Sequence, residues 1–250
     1  RKAREKSNTG IYHVMLRGIN GQTIFKDKED LEKLIQTISK YKEISEYVIY
    51  AYCLMSNHIH LLMREGKESL GIAFRRIGAS YVYWYNSKYK RSGPLFQGRY
   101  KSEPVEDDKY FLTVLRYIHQ NPVKAGIDAD ISKYPWSSYN EYFGKEGICD
   151  TKFALSLFTD KEEGAIALFK EFNAEENDDK CLQYKKTVKI DDIEAAKIIK
   201  KVARVENLCE VKHFEKCKRD KTIKELKNSG LSIRRIERLT GISFAVIRRI

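Results

Sequence analysis

The stretch YVIYAYCLMSNHIHLLM, Tyr47 to Met63, constrains the fold more than any other part of this chain. Tyr47 to Met55 and His58 to Met63 are dense in aromatic, β-branched and long apolar side chains. Only Ser56-Asn57 separates them, so they read as an antiparallel hairpin. A hairpin alone is marginal in water and needs further strands or a covering helix. The flanking sequence supplies both. Ile11 to Arg17 sets Tyr12, Val14 and Leu16 against His13, Met15 and Arg17, a strand pattern, and Gly18 to Gly21 then marks a turn. Asp27 to Ile44 carries Leu31, Leu34, Ile35, Ile38 and Tyr41 at helical spacing.

A second helix is expected from Ser69 to Tyr89, then a loop from Arg91 to Gly98 and a short strand. A third helix starts at Asp107 or Asp108, whose carboxylates suit its N-terminus, and is expected to end by Pro122. Strand, helix, two strands, helix, strand, helix implies an α+β domain, an antiparallel sheet with helices on one face. After an irregular closing segment from Tyr134 to Phe143, short Lys- and Glu-rich helical patterns begin near Asp150. The expected division is a domain over 1–145, a helical linker region over 146–189 and a small all-α domain over 190–250.

Composition narrows the function classes. A 42% hydrophobic content across 250 residues supports a packed core, and a net charge of +12 favours a polyanionic partner such as nucleic acid. Between Arg75 and Lys101, cations alternate with rings such as Tyr83, Trp84 and Tyr100. That mixture suits single strands, where phosphates need charge and unpaired bases need stacking surfaces. No apolar run is long enough to span a membrane, and Arg1 to Thr9 lacks the apolar stretch of a signal peptide, so a cytoplasmic location is expected. The five cysteines are scattered and read as reduced thiols. Cys209, His213 and Cys217 fall at i, i+4, i+8, which chance composition of a helix face explains better than a zinc site.

His58 and His60 lie two apart on a strand, so they project from one face about 7 Å apart. Two imidazoles there can hold one divalent metal. Tyr117 and Asn121, four apart, share a helix face. A carboxamide oxygen added to two imidazoles makes a three-ligand site suited to Mg²⁺ or Mn²⁺ with phosphate and water. An ordinary helix cap at Asn121 and a packing ring at Tyr117 are the competing reading, and His119, on another face, reads as structural.

The segments YHVMLRG, IFKDKEDLEK, YAYCLMSNHIHLLM, GPLFQGRYKS, LRYIHQNPVKAG and YPWSSYNEYFG occur in this order. Together, over about Gly10 to Gly144, they closely resemble the single-tyrosine HUH transposase family, the insertion-sequence-200-like and REP-associated tyrosine transposases. HUH denotes histidine, bulky hydrophobe, histidine, here His58-Ile59-His60. The resemblance implies a ferredoxin-like HUH nuclease fold, His58 and His60 as metal ligands, Tyr117 as nucleophile and Asn121 completing the metal site. The insertion-sequence branch often has glutamine where Asn121 stands, so direct ligation is left open. The distinctive N-terminal motif of the strict REP-associated subgroup is not seen, and recognition of a REP hairpin is not implied.

The implied activity is metal-dependent nicking and joining of single-stranded or hairpin DNA through a 5′-phosphotyrosine. Arg17, Arg99, Lys101 and Arg116 are the expected DNA contacts of this domain. Ser232 to Leu239, Thr240-Gly241 and Ser243 to Ile250 resemble a helix-turn-helix, with Arg234, Arg235, Arg238, Arg248 and Arg249 available to duplex phosphates. Two alternatives stay open: a non-catalytic DNA-binding regulator derived from a transposase, and a replication initiator or relaxase using the same chemistry. A monomer and a homodimer are equally compatible with the sequence.

Overall fold

The computed structural model describes residues 4–159, 161–183 and 191–250. They form two compact units, divided between Gln183 and Tyr184. The first unit opens with β1 (Ile11–Arg17), a 3-10 turn (Ile19–Gly21), α1 (Lys28–Ser45), β2 (Val48–Met55) and β3 (His58–Arg64). It continues through α2 (Leu70–Lys88), β4 (Lys101–Pro104) and α3 (Asp108–Lys124). The four strands make one antiparallel sheet in the order β2-β3-β1-β4, which puts β1 and β3 at the centre.

Local chemistry fixes the ends of these elements. Asp27 caps α1 in a reciprocal box with Asp30, and Asp107 caps α3 by accepting the Tyr110 amide at 2.7 Å. At the end of β1, the Gly18 amide donates to the Asn57 carbonyl at 2.9 Å, which ties β1 to the hairpin turn. A Cβ at Gly18 would collide with the Gln22 carbonyl, so this close approach requires glycine.

The sheet is covered on both faces, not on one as the sequence suggests. Tyr12, Val14, Leu16, Leu54, Ile59 and Leu61 pack with residues of α1 and α2. On the opposite side Ala51, Cys53, Met55 and Leu62 pack with Phe111, Val114, Leu115 and Ile118 of α3. The cause is visible in the strands: most residues alternating with the first set, such as Ile11, Met15, Cys53, Met55 and Leu62, are themselves apolar, and a face of that kind demands cover. α3 also runs past Pro122 to Lys124. In the last turn proline forgoes only its own amide bond, and the Ala125 and Gly126 amides close that turn on the Asn121 and Val123 carbonyls.

The free edge of β2 is protected by the segment after α3. The Leu54 amide donates to the Trp136 carbonyl at 2.9 Å, and the Tyr134 and Tyr142 hydroxyls each donate to β2 carbonyls at 2.7 Å. Helices α4 (Thr151–Ser156) and α5 (Glu162–Ala174) add Ala154 and Phe169 to the α3 core. Residues 146–183 therefore build part of the first unit and do not form a linker. The remainder of the expected linker, 184–189, and residue 190 lie outside the described residues.

The second unit contains α6 (Asp192–Ala203), a 3-10 turn (Leu208–His213), α7 (Lys216–Asn228), α8 (Ile233–Thr240) and α9 (Phe244–Arg249). Ile199, Ile223, Leu226, Ile236 and Ile247 are its fully buried centre. Gly241, at φ 72°, turns the chain between α8 and α9. Cys209 and His213 sit in the 3-10 turn and Cys217 in α7, so the three do not share one helix. No helix among the described residues is long and apolar enough to cross a membrane.

Candidate functional site

Strand register builds the site. His58 lies opposite Arg17 of β1, and His60 lies opposite Met15, which in turn faces Lys101 of β4. These side chains point to the sheet face that α3 covers. His60 is fully buried, and its Nδ1 lies 2.9 Å from Nε2 of a third histidine, His13, which is equally buried. The rings of His58 and His60 meet edge-on with centroids 5.1 Å apart. Tyr117 descends from α3 onto this group, its ring 5.5 Å from His60 and 5.8 Å from His13, both edge-on.

Burial sets the protonation. It pushes His13 down to about 3, and His58 down to about 4 with the Arg17 charge adding to the effect. His60 lies well below its ordinary value, chiefly from burial and then from its two histidine neighbours. All three are neutral imidazoles near pH 7, the form that binds metals. Burial also raises the Tyr117 phenol, opposed by hydrogen bonds from Gln183 and Asn121. Tyr117 therefore rests as a protonated phenol.

Two features suit the histidines to a divalent cation. His58 Nδ1 lies 2.7 Å from Asn57 Oδ1, which can only accept, so the proton sits on Nδ1 and Nε2 keeps its lone pair. His60 Nε2 is buried and has no hydrogen-bond partner. Asn121 is placed less favourably: its Nδ2 donates to the Tyr117 carbonyl at 3.0 Å. Among the described residues no group of three or more His, Cys, Asp or Glu side chains is arranged to hold a metal ion. The residues that fit are two imidazoles, with Asn121 one helical turn beyond Tyr117.

The expected DNA contacts divide into two kinds. Arg17 is half-buried beside His58, Lys101 is half-buried on β4, and Arg99 is exposed in the loop before it. Arg99 lines a groove with Arg4, Arg75, Phe74 and Tyr100, where the Arg4 guanidinium stacks 3.8 Å above the Tyr100 ring. Arg116 is different. It is buried, paired with Asp179 at 2.8 Å and Glu175 at 2.6 Å, and stacked on Phe172, so it holds the segment after α5 against α3. In the second unit Arg234, Arg248 and Arg249 are exposed, whereas Arg235 and Arg238 both donate to Asp192.

Sequence reading missed His13 and Gln183. His13 was visible as a member of the inward face of β1, but which β3 residue it meets depends on register. Gln183 reaches Tyr117 from far along the chain, and no local pattern marks it.

The four-stranded antiparallel sheet thus carries a paired-histidine strand beneath a tyrosine-bearing helix. The sequence model of the IS200-like transposases matches residues 6–121. A protein described as a putative REP-associated tyrosine transposase, from Haemophilus influenzae (strain ATCC 51907 / DSM 11121 / KW20 / Rd), is 29% identical over 117 residues. That match covers 41% of this chain and 66% of the relative, just under two thirds of its length. The solved structure of a REP-associated tyrosine transposase bound to a REP hairpin shares the fold with a TM-score of 0.50 and 19% identity, over 58% of this chain and 86% of that one.

Proposed function

We propose that this protein is a transposase-type enzyme that nicks and rejoins single-stranded DNA through Tyr117. The observation that carries this reading is the Tyr117 ring held edge-on against His60, on the sheet face that also presents His58. The His58 and His60 imidazoles would hold Mg²⁺ or Mn²⁺, which supplies charge neutralisation at the scissile phosphate. The Tyr117 hydroxyl loses its proton as it attacks phosphorus, forming a 5′-phosphotyrosine and releasing a 3′-OH that takes up a proton. A second 3′-OH then attacks this linkage, restores the tyrosine and joins new ends. The phosphotyrosine conserves the phosphodiester energy, so ATP is not required.

Arg17 and Lys101, on either side of the histidines, are suited to the phosphates flanking the cleaved bond. Arg99 and the ring of Tyr100 are suited to an unpaired strand. A hairpin is the natural substrate class, since one of the chain's structural neighbours was solved bound to one. α8 and α9 form a helix-turn-helix for duplex DNA, with Arg234, Arg248 and Arg249 as the exposed contacts.

The test is incubation of labelled hairpin oligonucleotides from the flanking DNA with wild-type and His58→Ala protein over a Mn²⁺ titration. Metal-dependent nicking that falls by at least about 100-fold in the variant is expected, because a group stabilising transition-state charge is lost. Equal cleavage by both proteins would remove the histidines from the reaction. Tight binding with no cleavage by either would make the protein a DNA-binding regulator.

A further inference from the structure

The contact between His13 and His60 contains one proton for two nitrogens, and its direction decides what His60 can do. The two rings are fully buried, and Nε2 of His13 lies 2.9 Å from Nδ1 of His60. The remaining nitrogens, His13 Nδ1 and His60 Nε2, are buried without hydrogen-bond partners. A neutral imidazole carries one N–H and one lone pair. If His13 donates, His60 must carry its proton on Nε2, which then cannot bind a cation. If His60 donates from Nδ1, its Nε2 is a bare lone pair.

A buried polar nitrogen without a partner is costly, and such groups in folded proteins call for an explanation. A cation on His60 Nε2 removes one of the two orphans, and only the second arrangement admits it. The neighbouring histidine is already oriented in that way, because Asn57 Oδ1 takes the Nδ1 proton of His58 and frees its Nε2. Each imidazole of the pair then has its own acceptor behind it: a carboxamide for His58 and a third imidazole for His60.

Resting on the reading of His58 and His60 as a metal-binding pair, we infer that His13 is a positioning residue for that pair. Its Nε2 accepts the Nδ1 proton of His60 and fixes the tautomer that presents Nε2 to a divalent cation, before the cation arrives. His13 itself does not bind the metal or touch DNA. Its own proton lies on Nδ1, inside the sheet–helix interface. Placement by β1 is what makes the arrangement possible: His13 lies opposite Leu62, two pairs along from the Met15–His60 pair and on the same face, so it reaches His60 diagonally.

The test uses the full chain, with Mn²⁺ as the probe and calorimetry as the readout. Wild-type, His13→Phe, His13→Gln, His58→Ala and His60→Ala are compared, each first checked for folding. His13→Phe fills the space without an acceptor and is expected to weaken Mn²⁺ binding by about 10–100-fold, whereas His13→Gln, whose Oε1 can accept, retains most of the affinity. Nitrogen-resolved NMR of the metal-free wild type is expected to find His60 protonated on Nδ1. A proton on His60 Nε2, or wild-type affinity in folded His13→Phe, overturns the role of His13. Unchanged affinity in both His58→Ala and His60→Ala, or no Mn²⁺ binding by the wild type, sinks the metal-pair reading and this inference with it. Loss in those two variants without loss in His13→Phe sinks the inference alone.

Discussion

Three of the chain's five histidines are fully buried, and their partners separate them by role. His119 is enclosed with a partner on each nitrogen, Ser138 Oγ at 3.0 Å and Asn173 Oδ1 at 3.3 Å. His13 and His60 share one contact and each keeps a nitrogen unpartnered. Satisfied imidazoles are structural, and their cost appears in acid. Burial pushes His119 from 6.5 to about 3, against a smaller opposing pull from Asn173. Folding therefore excludes its proton. Nothing is lost above the ordinary value, and stability falls as pH drops from there toward 3. From pH 7 to pH 5 this one group removes about 2 kcal/mol. His119→Gln should be less stable at pH 7, yet its urea-unfolding free energy should decline by about 2 kcal/mol less over that interval. An unchanged pH slope would contradict the buried neutral assignment. At this scale residue type and spacing singled out His58, His60 and Tyr117, which the fold brings together. His13 stayed hidden because its partner is set by pairing between strands forty-seven residues apart.

Helix α3 shows what an element's sequence does and does not declare. Its capping Asp107 and its apolar face of Phe111, Val114, Leu115 and Ile118 were legible, and so was the pairing of Tyr117 with Asn121. Its C-terminus was not, because proline in a last turn costs less than proline in mid-helix. The role of Arg116 was not legible either. An arginine beside Tyr117 suggests a phosphate contact, but here it binds Asp179 and Glu175 and stacks on Phe172. Lys124 and Gln120 extend the same attachment through Asn177. Arg116→Ala should therefore lower stability by about 1–3 kcal/mol, since it leaves the half-covered Asp179 without its cation. Denaturation by urea measures this directly. A variant with wild-type stability and weakened DNA binding would restore Arg116 to the DNA interface. The Lys88 cluster follows the same pattern: it pairs with Asp27, Glu29 and Asp30, so part of the basic and aromatic run through α2 is structural.

On the scale of the whole molecule, two cores with separate centres imply separable activities. Residues 1–183 and 191–250 should each fold alone, and the shorter fragment should carry the affinity for duplex DNA. Removing residues 184–250 should leave hairpin nicking in place, and gel-shift titrations of both forms with duplex DNA check the division. Unchanged duplex affinity after truncation would contradict the helix-turn-helix reading. The +12 net charge predicts that binding by the full chain weakens steeply with salt. Sheet, helix order and the change of texture near residue 150 were legible in the sequence. The packing of 146–183 onto the first unit was not, because helices such as α4 and α5 declare an apolar face and not the surface that receives it. The central claim is that Tyr117 makes a covalent bond to DNA, and the most direct test is an adduct assay on wild-type and Tyr117→Phe protein. Labelled single-stranded hairpin DNA is incubated with each in Mn²⁺, then resolved under denaturing conditions. The account predicts a metal-dependent protein–DNA adduct in the wild type and none in Tyr117→Phe, with hairpin binding retained by both. An adduct of equal yield in Tyr117→Phe would contradict it.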